Sequence, residues 1–110
     1  MMSPCVYLEM AFPEVMPRQL TGGHTHLFTN SSLAYMCRSH GLEMIGEWWF
    51  GTDMVDLYRD VLVTLESRED TRGAVPSWRD MFVPLIDDMQ KAMDQHKSGS
   101  EVHLVLKVKR

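Results

Sequence analysis

The chain contains no apolar run near the ~20 residues that a membrane-spanning helix requires; its longest such stretches, "WWF" and "VHLVL", end after a few positions. No membrane partner is expected. It also lacks a basic block. Eleven Lys and Arg are scattered among fifteen Asp and Glu, giving a net charge of −4. The closing "KVKR" is too short to hold a phosphate backbone, which takes clustered cations, so nucleic acid is not an expected partner. Cysteine is nearly absent: Cys5 and Cys37 are far apart, form no CxxC pair and follow no secretory leader. Both read as reduced core thiols in a cytoplasmic protein. A nucleophile elbow, a P-loop and an HExxH helix are missing too, which removes the enzyme classes built on them.

What is present is a globular composition. With 45% hydrophobic and 24% charged residues over 110 positions, the chain fits a single domain, residues 1–110, around one modest core. Its ten methionines are scattered and read mainly as adaptable core filling, with a soft interaction surface as the lesser reading.

Hydrophobic periodicity sets the order of elements. "CVYLEMAF", Cys5 to Phe12, is an almost continuous apolar run broken by Glu9, the pattern of a strand covered on both faces. Two prolines and Gly22-Gly23 then mark a long loop from Pro13 to Thr29, of a length usually functional or mobile. "TNSSLAYMCRSHG" predicts a helix, with Asn30 or Ser31 as its cap, a stripe of Leu33, Met36, Cys37 and His40, and Gly41 at its left-handed end. "LEMIGEWWF" reads as a second strand. "DMVDLYRDVLVTLE" predicts a helix capped by Thr52 or Asp53, with Met54, Leu57, Tyr58, Val61, Leu62 and Leu65 as its apolar stripe. A further helix is expected from a Ser77–Asp80 capping box, with Trp78, Phe82, Leu85, Met89 and Met93 on one face and a kink or restart at Pro84. The chain finishes in "EVHLVLKVK", where Val102, Leu104, Leu106 and Val108 alternate with the opposite face as in a strand.

In this order the segments "YLEMAFPE", "GGHTHLFTNSSLAYMCRSHGLEMIGEWWFGTDMVDLYR" and "EVHLVLKVK" resemble the C-terminal half of class I S-adenosylmethionine-dependent methyltransferases. Glu9, His26, Phe28, Ser32-Leu33 and Gly41-Leu42-Glu43 stand where that family has an acid ending a strand, a histidine and an aromatic in a loop, a helix start and a turn into the next strand. The resemblance implies a partial doubly wound, Rossmann-like α/β sheet of about three strands, with the C-terminal strand antiparallel in the middle, and three helices. It implies S-adenosylmethionine as cofactor of the intact family. The glycine-rich turn and ribose-binding acid that hold that cofactor have no counterpart here, so the chain looks like the acceptor-side part alone, binding no cofactor by itself. On the same reading the outer edge of Cys5–Phe12 would be left unpaired and would recruit a second copy, as a homodimer, or a missing N-terminal methyltransferase half. A noncatalytic binding or oligomerisation module with the same fold is the second reading.

Four residues are candidates for contact with a substrate. The resemblance implies that His24 and His26 lie in a loop after a parallel strand, at the carboxyl edge where open α/β sheets bind ligands, and imidazole titrates near neutrality; a solvated loop whose Phe28 anchors the helix start is the competing reading. As metal ligands they would need Asp53 or Asp56 and one further group, and no third ligand stands out. Trp48 and Trp49 point to opposite sides of a regular strand, so at most one faces a pocket, and Trp49 is the one assigned to it; core packing is the competing role for both. Glu9 is a carboxylate in an apolar segment, which must find partners or take up a proton. No residue is assigned a catalytic, cofactor-binding or metal-binding role.

Overall fold

A computed structural model describes residues 2–15, 20 and 24–110. Ser3 and Pro4 decide its first element. Ser3 is extended and its side chain accepts the Cys5 N–H at 3.3 Å, while Pro4 occupies the first helical turn, where its fixed φ suits a helix and its missing N–H costs nothing. Pro4–Ala11 is therefore helix α1. This corrects the strand expected over Cys5–Phe12 and removes the edge through which a second copy or a methyltransferase half was to pair. Helix α1 buries Cys5, Val6 and Glu9. The Gly22-Gly23 pair of the following loop lies outside the described residues.

Helix α2, Asn30–Ser39, is capped by Thr29, one residue before the expected Asn30 or Ser31. Thr29 Oγ1 accepts the Ser32 N–H at 3.1 Å and Ser32 Oγ accepts the Thr29 N–H at 2.8 Å, a reciprocal box that satisfies two free amides. Leu33 and Cys37 are buried, whereas His40, placed on the same stripe by spacing, is exposed. Gly41 ends the helix at φ 61°, the left-handed position expected of it.

Strands β1, Leu42–Phe50, and β2, Glu101–Val108, pair antiparallel, with Trp48 opposite His103, Trp49 opposite Val102 and Phe50 opposite Glu101. The register slips between Met44 and Gly46, so Ile45 is the extra residue of a bulge. The adjacency of these strands is as expected, but among the described residues the sheet is two-stranded, not three-stranded, and the far edge of β2 carries no strand.

Between them run α3, Asp53–Ser67, α4, Val75–Phe82, and α5, Ile86–Gln95. Pro84 sits in a 3₁₀ turn, Val83–Leu85, that separates α4 from α5, the restart expected of it. The Ser77–Asp80 capping box does not form. Helix α4 begins upstream at Val75, behind a 3₁₀ turn at Arg72–Ala74 that leaves Ala74 already helical and without a side-chain cap. Tyr58 stacks on Trp78 and Phe82, with centroids 6.2 Å away from each, and the Trp78 indole donates to the Tyr58 carbonyl at 3.2 Å, which fastens α4 to α3.

The fold is thus mixed α/β, drawn out to 62 × 27 × 17 Å with a radius of gyration of 17.2 Å, against about 13 Å for a compact domain of this size. Among the described residues no helix is long and apolar enough to cross a membrane. Burial is concentrated at Cys5, Val6, Leu33, Cys37, Trp49, Met54, Val75 and Phe82, while Ile45, Trp48, Val105 and Val108 stay exposed on the sheet.

Candidate functional site

The carboxyl end of β1 meets the start of β2, and the segment after the long loop crosses the same place. There His24, Phe28, Leu33, Phe50, Glu101 and His103 are among the residues lining a recess of about 370 Å³. The cross-strand register sets Phe50 and His103 of the lining beside Trp48, which adjoins the recess without lining it. Residues directly opposite share a face of the sheet, so Trp48 lies over His103 with centroids 5.9 Å apart, and Phe50 meets the same imidazole edge-on at 4.7 Å. Trp48 and Phe50 are themselves 5.4 Å apart. The site offers an imidazole from each side, a carboxylate at Glu101 and an aromatic floor, which suits a ligand with a hydrogen-bonding edge and an apolar face.

Of the four residues singled out by sequence, only His24 lines this recess, and its loop follows helix α1, not the parallel strand that the resemblance implied. His26 is exposed; its Nδ1 lies 3.0 Å from Thr25 Oγ1 and its ring stacks on Phe28 at 6.3 Å. Trp49 is buried on the other face, where its indole donates to Glu47 Oε2 at 3.0 Å. Glu47 also pairs with Lys97, and hydrogen bonds from Lys97 and then from Trp49 hold its carboxyl below the ordinary range. The exposed member of the tryptophan pair is Trp48, as strand alternation requires. Sequence reasoning missed Phe50, Glu101 and His103 as neighbours of His24. Their signal was the pairing of the two strands, which needs a register before it can name opposite residues.

Glu9 belongs elsewhere. On α1 it is buried, and its Oε1 accepts the Leu20 N–H at 3.0 Å. The facing helix α3 buries Asp53, Asp56 and Asp60, three- and four-residue spacings that align carboxylates on one face. Burial, then Asp56, then Glu9 raise the Asp60 carboxyl above its usual value. In the same interface Cys5 Sγ donates to the Asp53 carbonyl at 3.1 Å, and burial, with Asp53, Asp56 and Asp60 nearby, pushes its thiol up to about 12. A thiol so placed is not a nucleophile near neutrality. Among the described residues Asp53 Oδ1 and Asp60 Oδ1 are buried without a hydrogen-bond partner, and no group of three or more His, Cys, Asp or Glu could hold a metal ion.

Asp53 closes the turn between β1 and α3. Its Oδ2 accepts the Ser100 N–H at 3.0 Å and the Gln90 side chain at 3.2 Å. Gln90 Oε1 in turn accepts the Met54 N–H at 3.1 Å, capping the helix from α5. A Cβ at Gly51 would stand 2.5 Å from Asp53 Oδ2 and 2.6 Å from Ser100 Oγ, so only glycine fits there. The chain's own groups fill this helix start.

Comparison with known protein families, with curated proteins and with solved structures finds no significant match of any of the three kinds.

Proposed function

We propose that the chain is the acceptor-side part of an S-adenosylmethionine-dependent methyltransferase and does not transfer methyl groups alone. The observation that carries this reading is the recess in which His24 stands with Phe28, Phe50, Glu101 and His103, an apolar concavity with a few polar groups, the setting in which small ligands bind. Antiparallel pairing of the last strand against β1 is consistent with the implied sheet. When bound, S-adenosylmethionine would supply an electrophilic methyl group. The strand–glycine–helix turn at Gly51 does not fit this cofactor, because Asp53 and Ser100 occupy it, so no step is routed through that turn. In the recess, the aromatic wall would orient the acceptor by its apolar face, and His24 would accept the hydrogen bond of the nucleophilic group, an effect of positioning more than of proton transfer.

The test is transfer of a labelled methyl group from S-adenosylmethionine by the chain alone and by the chain together with the polypeptide encoded directly upstream. Transfer is expected only in the combination, with His24→Ala raising KM for the acceptor. Transfer in neither, or saturable micromolar binding of the cofactor to the chain alone, contradicts the reading. A noncatalytic association module is the second reading, favoured by the outer edge of β2, which carries no strand among the described residues.

A further inference from the structure

We propose that β2 is the self-association edge of this chain: a second copy lays its own β2 antiparallel along it, about a two-fold axis through Leu104, joining two ribbons into one four-stranded sheet. The inference rests on strand register and charge, and the methyl-transfer reading can fail without it.

The direction of the backbone groups comes first. Lys109 N donates to the carbonyl of Gly41, the residue before β1, at 2.8 Å, so the amide of Lys109 points toward β1. Backbone groups alternate sides along an antiparallel strand. Those of Glu101, His103, Val105 and Lys107 therefore face β1, and those of Val102, Leu104 and Leu106 face the edge that no described strand occupies. Such a row of donors and acceptors is a template for another strand. A two-fold antiparallel pair must set outward-facing residues against outward-facing residues, which places the axis through a residue and not between two.

Charge then selects among the allowed axes. With the axis at Leu104, Glu101 of each copy stands opposite Lys107 of the other, so the same opposite-charge pair forms at both ends. Val102 meets Leu106, Leu104 meets Leu104, and His103 meets Val105. An axis at Val105 would set His103 against Lys107, and one at His103 would leave Lys107 beyond the overlap. Cross-strand pairs of opposite charge or of apolar side chains are the stabilising ones, and like charges opposite each other are not. The apolar face also gains. Val102, Leu104 and Leu106 are only half-buried, and Val105, 58% exposed, would extend the aromatic patch of Trp48 and His103 across the axis. The interface is self-complementary, as a two-fold dimer requires.

Sedimentation equilibrium of the full chain over a concentration series reads the association, with circular dichroism reporting folding. The mass should rise from 12.7 kDa toward twice that value. Glu101→Lys should weaken association at least tenfold, and Glu101→Lys with Lys107→Glu should restore it. Leu104→Pro removes an outward-facing amide and should give a folded monomer, whereas Val105→Pro removes an inward-facing one and should unfold the ribbon. A chain that stays monomeric at every concentration overturns the proposal, as does association unchanged by Glu101→Lys and Leu104→Pro. Restoration by Lys109→Glu in place of Lys107→Glu overturns the axis at Leu104.

Discussion

The interface between α1 and α3 and the ribbon formed by β1 and β2 invert the usual distribution of polarity. On the helical side, Glu9, Asp53, Asp56 and Asp60 are buried around the Cys5 thiol. On the sheet side, Ile45, Trp48, Val105 and Val108 face solvent. Buried carboxylates are tolerated when other groups of the chain hold them, as Ser100 and Gln90 hold Asp53 Oδ2 and Leu20 holds Glu9, and among the described residues only Asp53 Oδ1 and Asp60 Oδ1 are left without a hydrogen-bond partner. The exposed aromatics lie beside an edge that no described strand pairs, and among the described residues nothing compensates them in the same way. On the proposed association, polar groups in the first region serve folding and apolar groups in the second serve contact with a second copy.

The two tryptophans of β1 test that division within one dipeptide. Trp49→Ala removes a buried side chain and should cost about 3–5 kcal/mol, enough to lower the melting temperature by more than about 10 °C. Trp48→Ala should change stability by about 0.5 kcal/mol while weakening self-association. Equal losses in the two melts would erase the distinction between inner and outer faces.

Next in size is Asp53→Ala, which leaves the buried Ser100 amide without its acceptor and should cost about 1–3 kcal/mol by chemical denaturation. A neutral result would mean that the turn between β1 and α3 is not held by this carboxylate.

A smaller effect concerns pH. The Cys5 thiol is raised from 9.0 to about 12 in the folded chain, so the folded state keeps its proton while the unfolded state loses it. The stability tied to that proton is intact below pH 9 and falls as pH rises toward 12, by about 1 kcal/mol at pH 10. Cys5→Ala should flatten this alkaline limb relative to the parent. If both chains lose stability in parallel between pH 8 and 10, Cys5 is not buried among carboxylates. Smallest of all, His24→Ala with His26→Ala should shift the melting temperature by no more than about 0.5 kcal/mol equivalent, because both side chains are exposed; a large drop would make the pair structural.

How much of this was legible in the sequence depended on whether local chemistry and periodicity agreed. They agreed at α2, where a capping segment precedes a clear stripe and Gly41 follows it, and at β2, where alternation is strict. They agreed again at Pro84, whose ring and missing donor break α4 from α5. They conflicted at Cys5–Phe12. A short apolar run does not distinguish strand from buried helix, and the deciding signal, Ser3 followed by Pro4, lay just outside it. The buried acids of α3 were visible as Asp53, Asp56 and Asp60 at helical spacing, but the apolar stripe beginning at Met54 drew the expectation to the neighbouring face. The recess was half legible. His24 came from its loop, while Phe50, Glu101 and His103 came from a register that a bulge at Ile45 shifts by one residue, and no pattern in the sequence marks that bulge.

Amide hydrogen exchange along β2 at low and at high protein concentration tests the open edge most directly. The account predicts that His103, Val105 and Lys107 are protected at both, and that Val102, Leu104 and Leu106 exchange freely when dilute and slow markedly when concentrated. Protection of Leu104 and Leu106 in dilute solution would show that the chain covers the edge itself and would contradict the account.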